Sequence, residues 1–184
     1  MKEQSTTTIY QLCFIALMSA IMCFMGPLSI PIGAVPISCT NFFILLAVYL
    51  LGTRQGTVSC VIYLLLGTVG LPVFSGYSGG LAKLLGPTGG YLVGFIFMAL
   101  ISGLIIEKSS YKMLWCIAGM ILGVAVSYIF GTVWFVTLMK CSVLYAVSVC
   151  VHPLFIIGDL AKIVLVELVG RELRKRLKSA GLFV

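Results

Sequence analysis

Apolar runs long enough to cross a bilayer recur along this chain, separated by Gly, Pro and basic residues. Of its 184 residues, 61% are hydrophobic and only 9% are charged. A water-soluble domain carries far more charge than that. At about 20 apolar residues per crossing, the length allows roughly six helices. The expectation is an all-α membrane protein, with residues 1–184 forming one domain of six transmembrane helices.

Local chemistry marks the segments. The first runs from about Ile9 to Met25 and ends at Gly26-Pro27. In the LSIPIGAVPIS stretch that follows, Pro27, Pro31 and Pro36 forbid a continuous helix. Segment two spans about Ser38 to Leu51. A tight turn, Gly52-Thr53-Arg54-Gln55-Gly56, leads into segment three, about Thr57 to Val69. Segment four covers about Gly89 to Ile106 and stops at Glu107-Lys108. Segment five runs from about Leu114 to Leu138, and segment six from near Pro153 to Val169. A basic tail, 171–184, closes the chain. Lys2 and the first apolar run are not followed by an A-x-A-like site, so a retained first helix is expected.

The net charge of +7 is not a nucleic-acid signal, because the basic residues sit at the ends of apolar segments. With the N-terminus placed in the cytoplasm, nine of the twelve Lys and Arg residues lie inside. Lys83 and Lys140 lie outside, and Lys162 lies within segment six. This is the pattern of the positive-inside rule for both termini cytoplasmic. The Pro-rich first loop, the loop between helices three and four, and the start of segment six then face outward together.

That long outward loop is the most distinctive stretch. Gly67 to Gly94 reads GTVGLPVFSGYSGGLAKLLGPTGGYLVG, holding Ser75, Ser78 and Thr88 beside Pro72, Pro87 and two Gly-Gly pairs. A long loop between apolar segments more often caps or lines a pocket than merely connects helices. It is read as a lid over a small-molecule site. Phe74, Tyr77 and Tyr91 flank it, either as an interfacial belt or as cover for an apolar ligand.

Asp159 and Lys162 are the sharpest polar signal. They are three residues apart inside the last apolar segment, so they share one helix face. Each charge costs at least a few kcal/mol at membrane depth unless it is paired or wetted. They form either a structural ion pair or the polar lining of a cavity, with Gly158 leaving room for close approach. Small residues mark packing faces. Gly119, Gly123, Ser127 and Gly131 recur every four residues in segment five, and Ala16-x-x-x-Ala20 in segment one is a candidate partner-docking face. The seven Cys show no metal-ligand spacing, so no metal is expected. Those in apolar runs (Cys13, Cys23, Cys60, Cys116) are expected to be reduced and inert.

Gly76-Tyr77-Ser78-Gly79 reads G-x-S-G, which in a six-helix membrane chain resembles rhomboid proteases. The sole histidine, His152, would have to be the base. Ser78 sits in a Gly/Pro-rich loop rather than at the head of a helix, so no enzyme is expected. No G-x-x-x-x-G-K-[ST] occurs, so any energy from ATP comes from elsewhere.

LGTRQG, YLLLGTVGLPVFSGYSGG, GPTGGYLVGF and P-x-x-x-x-GD-x-x-K (Pro153 to Lys162) together resemble the BioY family, the substrate-binding S components of biotin energy-coupling-factor transporters. The likeness runs from Ile9 to Glu167. It implies a multi-pass protein of the bacterial cytoplasmic membrane that binds biotin at its outward face, with no cofactor of its own. It also implies association with the coupling protein EcfT, for which Ala16 and Ala20 would form the docking motif, and with two ABC ATPases that use the ATP. Asp159 and Lys162 match the family's polar pair, and Ser75, Gly76, Ser78, Gly89, Gly90 and Tyr91 fall where the family closes over its ligand. The first loop departs from the family's V-P-x-T-x-Q. Here it reads Val35-Pro36-Ile37-Ser38-Cys39-Thr40, followed by Asn41, and Thr40 and Asn41 are the candidates to take the missing Gln's contact. Biotin suits the residues: a ureido ring with donors and an acceptor, an apolar thioether ring and a carboxylate. An S component for another vitamin would share the fold but not the loop signature, and a purely structural membrane partner would bind no small molecule.

Overall fold

The structure, a computed structural model, describes residues 2–30, 36–151 and 153–181. Pro31, Val35 and His152 lie outside the described residues. In chain order the elements are α1 (Lys2–Met25), β1 (Ser29–Ile30), β2 (Ile37–Ser38), α2 (Thr40–Val69), α3 (Leu81–Leu84), α4 (Gly89–Lys108), α5 (Met113–Met139), α6 (Val143–Cys150) and α7 (Pro153–Ser179). Among the described residues, α2, α4 and α5 are long and apolar enough to cross a membrane. The α6–α7 pair, bent by 45°, makes a fourth if it is one span, and Ile9–Met25 of α1 is a shorter apolar helix.

These elements depart from the expectation of six plain helices, beginning with the short helix α3 inside the long loop. The first loop is not free of strand structure: β1 and β2 pair antiparallel, with Ser29 opposite Ser38 and Ile30 opposite Ile37. The stretch before Pro153 carries the extra helix α6, started by Ser142, whose side chain accepts from the Tyr145 N–H. The basic tail is no separate element, because α7 runs unbroken through Arg171 to Ser179.

Segments two and three are joined in α2, but the joint is a reversal. Gly52 sits at φ 83°, ψ 176°, outside helical geometry. A Cβ at Gly56 would stand 2.6 Å from Val48 Cα, whereas eight residues of straight helix span about 12 Å. Residues 40–51 and 53–69 therefore run back against each other. Both ends exposed at the turn are satisfied from elsewhere. The Glu107 carboxylate, at the end of α4, accepts from the Thr53 N–H at 2.8 Å and from its hydroxyl at 2.7 Å, capping the second limb. Arg174 of α7 donates to the Tyr49 and Leu50 carbonyls that end the first limb, each at 3.2 Å. Its guanidinium lies 3.6 Å over the Tyr111 ring.

In lipid there is little hydrophobic force between helices, so close backbone approach does the work. The small-residue row of α5 supplies it against α4. A Cβ on Gly123 would meet the Ser102 hydroxyl and stand 2.9 Å from the Met98 carbonyl, and one on Gly131 would enter the Tyr91 ring. The row is thus spent on packing inside this chain. The buried core (Met22, Ile44, Tyr49, Tyr63, Met98, Met120, Ile163) draws on α1, α2, α4, α5 and α7. Large apolar side chains on the outer faces, such as Leu12 and Phe24 of α1, Leu114 and Ile129 of α5 and Ile157 of α7, are exposed, as expected where lipid replaces water.

Candidate functional site

The long loop from Gly70 to Thr88 folds into a tethered cap. Gly70, at φ 117°, ends α2, and the Leu71 N–H returns to the Leu66 carbonyl. Phe74 is fully buried, its ring filling the space that a side chain at Gly67 would take and meeting Tyr63 edge-on at 5.7 Å. Tyr63 donates to the Val73 carbonyl. At the tip, the Gly76 N–H donates to the Pro27 carbonyl at 3.0 Å, tying the cap to the end of α1. On the other side, Trp134 of α5 donates its ring N–H to the Gly86 carbonyl at 3.0 Å.

Beneath this cap lies a cleft open at its mouth, with about 670 Å³ of space counted out into the solvent. The first loop supplies Pro36, Ile37 and Ser38, the cap supplies Ser75, Lys83 and Thr88, and the start of α7 supplies Phe155, Asp159 and Lys162. Residues of α2, α4 and α5 complete the wall, among them Tyr63, Tyr91, Phe95 and Tyr128. The three outward elements of the sequence reading meet in this one cleft.

A closed polar network forms one wall. Asp159 and Lys162 pair at 2.9 Å, as their shared helix face requires. The Asp159 carboxylate also accepts from the Tyr128 hydroxyl at 2.6 Å and from the Asn41 amide at 3.2 and 3.3 Å. Lys162 donates further to the Ser38 carbonyl at 2.7 Å, reaching β2. Ser38 in turn shares a 2.6 Å hydrogen bond with the Thr40 hydroxyl and accepts from the Thr40 N–H, starting α2. The buried charge is therefore paired and hydrogen-bonded, which is the condition for tolerating it there. The same network holds α2, α5, α7 and the first loop in register around the cleft.

Of the residues singled out from sequence, Asp159, Lys162, Ser75, Tyr91, Thr40 and Asn41 line the cleft. Gly76, Ser78, Gly89 and Gly90 do not. Gly76 is exposed at the cap tip with φ 75°, and the Ser78 hydroxyl donates to the Ser75 carbonyl within the turn. Gly89 and Gly90 are buried where α4 meets α5 and the cap. A Cβ on Gly89 would strike the Leu84 carbonyl, and one on Gly90 would strike Trp134. These glycines shape the wall without forming it. Of the flanking aromatics, Phe74 is buried away from the cleft and Tyr77 is exposed, leaving Tyr91 against the space.

Sequence reasoning missed Tyr128, the shortest contact to Asp159, and Lys83, which it placed outside the membrane without a role. The signal for Tyr128 was a hydroxyl inside the charge-free segment five, next to Ser127 of the small-residue row. Ala16 and Ala20 are exposed on α1, on the stripe shared with Leu12 and Phe24. Among the described residues, no three His, Cys, Asp or Glu side chains come together as a metal site.

A model of the BioY family matches residues 1–179. The biotin transporter BioY of Thermotoga maritima is 40% identical over 148 residues, covering 80% of this chain and 86% of the relative. Biotin transporter BioY2 of Lactococcus lactis is 33% identical over 175 residues, covering 95% and 96%. Among solved structures, the S component for biotin from an ECF-type ABC transporter superposes with a TM-score of 0.86 at 32% identity, covering 92% of this chain and 93% of the other.

Proposed function

The chain belongs to the BioY family, and from that premise we propose that it is the biotin-binding S component of an ATP-driven vitamin importer. It is a transport subunit and not an enzyme. The observation that carries the reading is the cleft under the tethered cap. Its polar wall of Asp159, Lys162, Asn41 and Tyr128 offers both donors and acceptors to a neutral ureido ring, and its aromatic walls offer cover for a thioether ring. Ser75, Thr40 and Tyr91 stand within the same cleft as further contacts.

In this reading the chain crosses the membrane six times: α1, the two limbs of α2, α4, α5 and α7. The packing supports that count. The Gly52 turn, the end of α4 and the tail of α7 gather at one end through the Thr53–Glu107 and Arg174–Leu50 contacts. Arg54, Lys108, Lys112 and the tail cations belong to that end, so it faces the cytoplasm of a bacterial cell with both termini. The cleft opens at the opposite, outward end. The exposed Ala16–Ala20 face of α1 docks on an EcfT-type coupling protein, small side chains letting the helices approach. The chain holds no cofactor, and two ABC ATPase partners use the ATP.

The test is calorimetric titration of biotin into the purified, detergent-solubilised chain, with thiamine and riboflavin as controls. Tight binding of biotin alone is expected. A folded chain that ignores biotin, or prefers another vitamin, overturns the named substrate.

A further inference from the structure

Three charged side chains line the cleft: Lys83, Asp159 and Lys162. Two of them cancel. Asp159 and Lys162 sit 2.9 Å apart, the carboxylate accepting further from Asn41 and Tyr128 and the ammonium donating to the Ser38 carbonyl, so the two charges neutralise each other. Lys83 is different. It sits in the four-residue α3 of the cap, half-exposed, and among the described residues its ammonium has neither an ion pair nor a hydrogen bond. The cleft therefore carries one uncompensated positive charge, and that charge is on the cap side rather than on the α7 wall.

An unpaired cation at the edge of a cleft recognises an anion, because Coulomb attraction is strongest where no other counter-charge competes and water is partly excluded. Resting on the biotin reading, we propose that Lys83 is the specificity-determining residue for a free carboxylate on the ligand's tail. It thereby sets the ligand's direction: neutral ring at the Asp159–Lys162 wall, aliphatic chain along Tyr91, Leu92 and Phe95, carboxylate at the cap. The closed network favours this polarity. A carboxylate brought to Lys162 would have to share the ammonium with Asp159 at like-charge range, whereas Lys83 presents no acid beside it. The class recognised is a monocarboxylate tail, and a neutral or amide-blocked tail is disfavoured.

The experiment titrates biotin and biotin amide, identical except for the charge of the tail, into the detergent-solubilised full-length wild type, Lys83→Gln, Lys83→Arg and Lys162→Gln. Wild type is expected to prefer biotin over the amide by about tenfold or more, about 1.4 kcal/mol, with the preference shrinking as salt rises. Lys83→Gln should lose that preference by weakening biotin while leaving the amide within about twofold, and Lys83→Arg should keep it. Lys162→Gln should weaken both ligands alike. A Lys83→Gln variant that retains the wild-type ratio overturns the assignment, as does a collapse of the ratio in Lys162→Gln instead, which would put the carboxylate on the α7 wall. Binding of neither ligand by a folded wild type overturns the biotin reading itself, a different result from biotin binding without tail discrimination.

Discussion

Asp159→Asn is the perturbation that separates a ligand-reading network from a structural ion pair. The change keeps the size of the side chain and removes its charge. It leaves the Lys162 ammonium without a counter-ion and turns one acceptor oxygen into a donor facing Asn41, Tyr128 or Lys162, all of which now donate to this group. Removing one member of a buried ion pair costs about 3–5 kcal/mol. The side chains are 16% and 9% exposed, so some water reaches the orphaned lysine and the lower end, about 3 kcal/mol, applies. Biotin affinity should fall by at least about 1.4 kcal/mol, or tenfold, because the wall's donors and acceptors are no longer pre-oriented. Thermal unfolding of the detergent-solubilised chain should fall as well, which is why the double variant Asp159→Asn/Lys162→Met decides the matter. Neutralising both partners removes the uncompensated charge and should recover much of the stability, yet biotin binding should stay lost. A double variant that folds and binds biotin with wild-type affinity refutes the reasoning, since the network would then serve the fold alone.

Other perturbations probe the frame around the cleft. Gly123→Val forces a branched side chain against Ser102 and the Met98 carbonyl. It should destabilise by about 1–3 kcal/mol through overpacking, read as a lower thermal midpoint; an unchanged midpoint contradicts the close α4–α5 contact. Glu107→Ala removes the carboxylate that caps residues 53–69 and should cost about 0.5–2 kcal/mol with biotin affinity unchanged, because Glu107 is not part of the cleft wall. Ala16→Trp and Ala20→Trp, on the exposed face of α1, should abolish co-purification with the coupling protein while leaving biotin titrations unaltered; retained assembly removes that face from the docking surface.

What the sequence determined by itself follows from period and composition. Charge-poor runs punctuated by Gly, Pro and basic residues define membrane helices because lipid tolerates little else. Asp159 and Lys162 had to share a face because the α-helix repeats every 3.6 residues. The small-residue row of α5 had to mark a close contact, although which helix it meets was not written in it. The rest depended on how the helices are rotated and which ends meet. Tyr128 reaches Asp159 only because α5 turns that face toward α7, and one hydroxyl among the several of an apolar helix carries no mark of direction. Gly89 and Gly90 look like ligand-closing residues in a Gly-rich motif, yet the backbone of α4 needs them to pass Leu84 and Trp134. Phe74, which reads equally as interfacial belt or as ligand cover, is instead drawn into the gap left by Gly67. Lys83 looks like any loop cation. Its importance comes from what the tertiary structure withholds, since the one acid lining the cleft, Asp159, is already bound to Lys162 and a charge is defined by its surroundings as much as by its side chain.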